Sequence, residues 1–348
     1  MNYTKGLFVL FQQKLKRLSR YLTVQRPNAL EHSLLAKLPV ELLQQITNDL
    51  PVASAASFSL SCRHIHLLTG TRYLENLATS SHETLVFLKL IERDLQNQIL
   101  CNSCRKLHRI QDARKYTENG QPFFPVVEPD CLSNDREIMV TQYIHDNFST
   151  AVFKMLMKHY RLFGYDARSR QLLNLVSERV RSHTWGVTLV LNRQAECRIS
   201  NGSLFTCKRV AFHGKCTGVE PGSMWYWICP HLELERTERP ASLRIITSYP
   251  SSLEKWSMIL HCEKGANIKK TSWDLCSELQ QCRYCRTEYK AVFEHGNGCT
   301  FKFTITIWKD LGQGPEGEEW KAQLPLEDGL SSPLPIHFHR GEIASVFQ

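Results

Sequence analysis

The sequence predicts an α+β fold: an N-terminal three-helix module, then a mixed domain of helices and a mainly antiparallel β-sheet. Three observations carry this expectation. Apolar residues recur at steps of three and four through the first hundred positions, the period of one helix face. Beyond Trp185 the period falls to two, as in strands covered on one side. The 348 residues, 42% hydrophobic and 22% charged, have the size and composition of a folded chain with an ordinary core, not of a disordered or fibrous one.

Residues 1–30 read as a basic leader. Phe8, Phe11, Leu15, Leu18 and Leu22 make an apolar stripe, and Pro27 and Asn28 end it. Three roles compete: a helix packed on the next domain or frayed, a surface or partner contact, and a mitochondrial leader. Lys5, Lys14, Lys16, Arg17, Arg20 and Arg26 precede the first acid, Glu31, so six of the nine net positive charges lie here and only +3 remains beyond them. Phosphate binding needs a concentrated basic face, so nucleic acid is disfavoured as a partner.

From residue 31 to 79 three short helices are expected. Pro39 suits a first helical position and Pro51 bars continuation of the same helix. Ser54 reads as the cap of the second helix, which runs through Phe58 towards Ser61, and a third begins near Arg63. A larger domain then spans 80–310. Ser80 and Glu83 have capping-box spacing before the stripe Leu85, Leu88, Ile91 and Leu95, which predicts a helix to about Gln98. Gly120, Pro122, Pro125 and Pro129 mark an irregular connection. A further helix is expected from Ser149 to about Leu162, with Val152, Phe153, Leu156 and Tyr160 inward and Gly164 as its stop.

In the later half, Trp185–Leu191 reads as one strand and Asn201-Gly202 as a tight hairpin turn. Trp225-Tyr-Trp227 reads as an aromatic strand packed into a core, with a ligand-stacking surface as the competing reading. Thr300–Trp308 alternates fully, with Phe301, Phe303, Ile305 and Ile307 on one face, and should pair antiparallel with 287–294 across His295-Gly-Asn-Gly298. Residues 311–348 read as an irregular tail, with Phe347 tied back onto the body.

Leu35-x-x-Leu38-Pro39-x-Glu41-Leu42-Leu43-x-x-Ile46, followed by Leu50, Phe58, Leu60 and Cys62-Arg63, resembles the F-box over Leu34 to about Leu68. Phe87–Leu95, Cys101-x-x-Cys104-x-x-x-His108, Cys282-Arg-Tyr-Cys285 and Trp308–Gly312 extend the likeness to a group of fungal F-box proteins. The resemblance implies a non-catalytic adaptor. The motif would bind the Skp-type linker protein of a cullin–RING ubiquitin ligase, while the remaining domain holds an unknown protein substrate. Carried over by position, Leu38 and Pro39 would meet the linker first. Leu42, Leu43, Ile46 and Leu50 would line or support the apolar face, Leu60, Cys62 and Arg63 would complete it, and Glu41 could pair with a rim charge. Independently of that likeness, some forty residues cannot bury so many leucines among themselves.

Thirteen cysteines, with no secretory apolar region and no run of membrane-spanning length, point to a reducing compartment, cytoplasm or nucleus. Cys101-x-x-Cys104 and Cys282-x-x-Cys285 each have the spacing of a zinc knuckle, half of a tetrahedral site. To complete a structural zinc site they must meet or recruit others, and His108, Cys131, Cys229, His231, Cys276 and Cys299 are the candidates. The competing reading makes each pair small core hydrophobes. Cys197, Cys207, Cys216 and Cys262 read as core or half-buried thiols. Two other functions stay open: a zinc-stabilised nucleic-acid-binding protein, and a cysteine-nucleophile enzyme. The sequence has no Gly-x-Ser-x-Gly elbow, phosphate-binding Gly-x-x-x-x-Gly-Lys or dinucleotide fingerprint to favour an enzyme.

Overall fold

The computed structural model describes residues 33–101, 104–117, 143–145, 148–185, 189–215, 225–237, 242–247, 256–259, 278–296, 300–324 and 334–348. The leader at 1–30, the connection around Gly120–Pro129, and Cys131, Cys216, Cys262, Cys276 and Cys299 lie outside them. The class is α+β, as the two periods predict. The chain divides into two compact units, Met1–His108 and Arg109–Gln348.

The first unit opens with a 3-10 turn, Leu34–Lys37, capped by the Ser33 hydroxyl. Four short helices come next: α1 Val40–Asp49, α2 Val52–Ser59, α3 Arg63–Thr69 and α4 Arg72–Leu77. Pro39 and Pro51 stand immediately before α1 and α2, where a missing N–H costs nothing. Helix α5, Ser81–Asp94, is capped by Ser80 as its spacing predicts, but it stops short of Gln98. Gln98 instead opens a two-stranded sheet, β1 Gln98–Cys101 with β2 Lys106–Arg109.

Ser54 is not a cap. It sits inside α2, and the N–H of Ala53 is taken by the Glu83 carboxylate of α5 at 2.9 Å. Ala53, Ala55 and Ala56 let α2 approach closely, and Phe87 and Leu88 of α5 close over them with Tyr73 and Leu77. This packing puts α5 in the first unit, so the compact division falls at His108 and not at the border between 79 and 80 that the pattern suggests. A second, smaller cluster joins Leu43 and Ile65, flanked by Leu35, Leu38, Phe58, Cys62 and Leu68.

The second unit begins with a 3-10 segment, Ile110–Tyr116. Helix α6, Thr150–Phe163, runs from the Ser149 cap to Gly164, whose φ of 73° is the left-handed stop expected of glycine. Helix α7, Ala167–Val176, continues the chain on an Asp166 cap. The region read as one strand at Trp185–Leu191 is two: β3 Glu178–Trp185 pairs antiparallel with β4 Leu189–Ser200, and Trp185 is paired with Leu189. Alternation is blind to a reversal of direction, which is why the pattern merges them.

Strand β4 turns at Asn201 and Gly202, φ 49° and 78°, into β5 Ser203–Lys215. Positive φ at both turn residues matches the right-handed twist of a tight hairpin. A four-stranded antiparallel sheet is built from β6 Trp225–Cys229, β7 Leu232–Thr237, β8 Ser242–Thr247 and β9 Trp256–Ile259. The six-stranded sheet is completed by β10 Gln280–Gln281, β11 Thr287–Gly296 and β12 Thr300–Asp310, in the order β10-β11-β12-β5-β4-β3. The expected pairing of 287–294 with the Thr300 strand holds from Thr287↔Lys309 to Gly296↔Thr300.

The core of this unit joins Phe303, Ile305 and Ile307 of β12 with Val210 and Phe212 of β5, Tyr226, Ile228 and Leu234 of the smaller sheet, and Tyr289 of β11. The described residues of 311–348, namely 311–324 and 334–348, hold more regular structure than an irregular tail. Helix α8, Glu318–Lys321, buries Trp320 against Phe148 and Phe153, and a 3-10 turn at Ala344–Phe347 ends the chain. Phe347 is indeed tied back, lying under the Arg198 guanidinium, and the buried Glu288 carboxylate accepts the N–H groups of Gly341 and Ala344. Among the described residues no helix is long and apolar enough to cross a membrane.

Candidate metal centres and docking face

The turn between β6 and β7 is two residues long, Pro230-His231, and Cys229 pairs with Leu232 across it. The pairing register shifts between Trp227 and Cys229, so the strict alternation of β6 is broken and Ile228 and Cys229 are both fully buried. The second turn, between β10 and β11, carries Cys282-Arg-Tyr-Cys285. It is pinned at both ends by backbone bonds between Cys282 N–H and Thr287 O and between Thr287 N–H and Cys285 O. Within it the Tyr284 N–H points at Cys282 Sγ at 3.4 Å, favouring the thiolate there.

The two turns meet. His231 Nδ1 lies 3.9 Å from Cys229 Sγ and 3.7 Å from Cys282 Sγ, and the four donor atoms of Cys229, His231, Cys282 and Cys285 lie within 4.8 Å of one another. All four residues are buried, none more than 2% exposed. Burial drives the Cys229 and Cys285 thiols well above their ordinary range. Hydrogen bonds from those same two groups hold Cys282 well below its own, with His231 adding to the effect. Lys309, also buried, places its positive charge where it acts on Cys229 and donates to Gln323, which in turn donates to Thr287 beside Cys285.

A smaller group stands in the first unit. Cys101 at the end of β1, Cys104 in the turn and His108 in β2 bring three donors within 4.8 Å, with Cys104 Sγ 3.2 Å from His108 Nε2. The two cysteines are half-buried. Burial by itself would lower His108, but hydrogen bonds and charge from Cys101 and Cys104 outweigh it and raise the imidazole to about 9.

The two Cys-x-x-Cys pairs therefore do not complete one site. Each belongs to its own group, and the completing residues are His108 for the first and Cys229 with His231 for the second. Both groups are Cys/His clusters able to hold a metal ion. Cys197 is the core thiol its pattern suggests, donating to Val176 O, and burial pushes it up to about 12. Cys207 is half-buried and pushed up to about 11 by the same cause. Thiols so reluctant to ionise are poor nucleophiles.

The residues that the F-box likeness marks fall into three environments. Pro39, Glu41, Leu42, Ile46 and Arg63 are exposed or nearly so, whereas Leu38, Leu50, Leu60 and Cys62 have much of their surface covered. Leu43 is buried at 3%, facing inward against Ile65, so it belongs to the module's core and not to its surface. Leu50 and Leu60 lean on the cluster formed with α4 and α5, and Cys62 Sγ accepts the Ile65 N–H as the cap of α3. Two exposed leucines extend the outer apolar set beyond the positions carried over: Leu34 at 79% and Leu67 at 71%, alongside Leu42 at 44% and Ile46 at 39%. Leu42 and Ile46 are four residues apart and share one face of α1. Compared with protein-family models, curated proteins and solved structures, the chain matches none of them.

Proposed function

We propose that the chain is an F-box substrate receptor of an SCF-type cullin–RING ubiquitin ligase, docking a Skp-type linker through the module around α1–α3. The observation that carries this reading is the outer apolar set of Leu34, Leu42, Ile46 and Leu67, large aliphatic side chains left in water by a module whose own core is already filled by Leu43 and Ile65. Covering each one contributes about 1.5–3 kcal/mol, enough for a few to sustain an association after its entropic costs. Glu41 and Arg63, both exposed, supply charges of the kind that the polar rim of such an interface carries.

In this reading the second unit presents a protein substrate and does no chemistry itself. The four-donor Cys/His cluster supports structural zinc as its brace: thiolates with imidazole are zinc's ligand set, and a closed shell leaves no position for an activated water.

Co-expression with a Skp-type linker tests the docking. Leu42→Asp with Ile46→Asp should weaken capture by roughly 100-fold or more, since two apolar contacts are lost and two charges enter the interface. Undiminished capture by that folded variant would remove the assignment.

A further inference from the structure

We propose that Cys229, His231, Cys282 and Cys285 bind a single zinc ion as a closed Cys3His site, which staples the β6–β7 turn of the four-stranded sheet to the β10–β11 turn of the six-stranded sheet. The inference deepens the structural-zinc reading above and is independent of the docking module.

Geometry is the first ground. A tetrahedral zinc with Zn–S of about 2.3 Å and Zn–N of about 2.0–2.1 Å sets sulfur and nitrogen about 3.5 Å apart and two sulfurs about 3.8 Å apart. Two of the three sulfur–nitrogen separations are 3.7 and 3.9 Å, from Cys282 and Cys229, both made by one imidazole nitrogen, Nδ1, which is thereby the ligating atom. Four donors within 4.8 Å of one another complete the shell from the protein alone.

Local construction is the second ground. The site is made of two turns from distant parts of the chain, one a two-residue hairpin with a rigid proline, the other a Cys-x-x-Cys loop with an N–H aimed at its first sulfur. Neither turn explains why three thiols should be gathered at full burial. Small core hydrophobes need not point their polar atoms at one spot.

Charge is the third. Three thiolates and a neutral imidazole around a divalent ion leave a net charge of minus one, which is costly in an interior unless balanced. The ammonium of Lys309, 1% exposed and linked through Gln323 and Thr287 to Cys285 Sγ, supplies that balance. Binding displaces the remaining thiol protons to solvent, so the step consumes nothing but zinc and base. Soft thiolate donors select zinc over magnesium or calcium, which take oxygen ligands.

The test uses the full chain, purified under reducing conditions without chelator, with zinc counted by elemental analysis and native mass spectrometry. Cys285→Ser and His231→Ala should each lose one equivalent of zinc relative to the parent chain, and Cys104→Ser should leave this ion in place. Because loss of a buried ligand also threatens folding, His231→Cys provides the second arm. It should retain the ion, and cobalt in its place should show the visible bands of tetrahedral coordination with stronger thiolate charge transfer than the parent.

A parent chain that neither carries zinc nor takes it up would overturn both this site and the structural-zinc reading, as would a disulfide among the three cysteines. Zinc that persists unchanged in Cys285→Ser and His231→Ala would overturn this ligand set alone. Linker capture is read separately in every variant, so docking stands or falls on its own.

Discussion

Asp166 shows what one side chain contributes in this fold. Its carboxylate takes the Ser169 N–H at 2.7 Å as the cap of α7 and meets His159 of α6 at 3.0 Å. The Ser169 bond first, and then His159, hold the carboxyl at about 2 against an ordinary 3.8. A lowered folded-state value means the stabilisation is fully present above the unfolded value and is lost as pH falls through the folded one. Asp166→Ala should therefore have a lower urea midpoint than the parent at neutral pH. That gap should narrow as pH is taken from about 4 towards 2. A gap independent of pH across this window would show that the cap acts without its charge. Lys309 teaches a different lesson about residues. It continues the inward phase of Phe303, Ile305 and Ile307, so a strand reading carried one position past Trp308 places a lysine in the core and flags a buried polar partner beside it, here Gln323. The Cys-x-x-Cys pairs are visible as knuckles in the sequence, and His108, Cys229 and His231 stand among the candidates to complete them; that the last two belong with Cys282 and Cys285 is not legible, because contact between two turns some fifty residues apart leaves no local trace.

At the scale of elements, the legible features are those fixed by neighbouring residues. Ser80 and Ser149 cap α5 and α6, Gly164 ends α6, and Asn201-Gly202 makes its turn, each within a few positions of where spacing puts it. Helix α7 escapes the pattern because Arg168, Ser169, Arg170 and Gln171 hide the stripe of Leu172, Leu173 and Val176. Ser54 misleads for the opposite reason: the true capping group of α2 is Glu83, thirty residues from Ala53. That contact makes a prediction. Glu83 belongs to α5 yet accepts the Ala53 N–H of α2, so Glu83→Ala leaves a part-buried donor without its partner. Such a loss costs about 1–3 kcal/mol. Chemical denaturation should show a destabilisation in that range, and Glu83→Gln, which keeps an acceptor oxygen, should recover most of it. Equal losses in the two variants would mean that the charge matters and the acceptor does not.

Across the whole molecule, the α+β class and the existence of an early helical module are legible because they depend on period alone. The extent of that module is not. Helix α5 resembles any amphipathic helix in sequence, and only its packing on Ala53, Ala55 and Ala56 assigns it to the first unit. With the proposed docking residues in one compact unit and the four-donor cluster in the other, their perturbations should be separable. Leu42→Asp with Ile46→Asp is expected to leave zinc content unchanged, and Cys285→Ser is expected to leave linker capture within about 0.5 kcal/mol of the parent, the usual additivity of sites that share no partners. Cross-talk in either direction, measured by metal content and by capture, would show the two units to be energetically one.

The grip of Glu288 on the last residues gives the C-terminus an unusual standing. Its carboxylate is wholly interior, and both oxygens are satisfied by amides near the chain's final turn, those of Gly341 and Ala344. Trimming the chain after Arg340 would thus strand an acceptor inside the protein at a penalty of at least about 1–3 kcal/mol. What looks on paper like harmless shortening of an end is, energetically, an edit to the interior. Fusion partners appended beyond Gln348, which is exposed, leave both of these bonds intact.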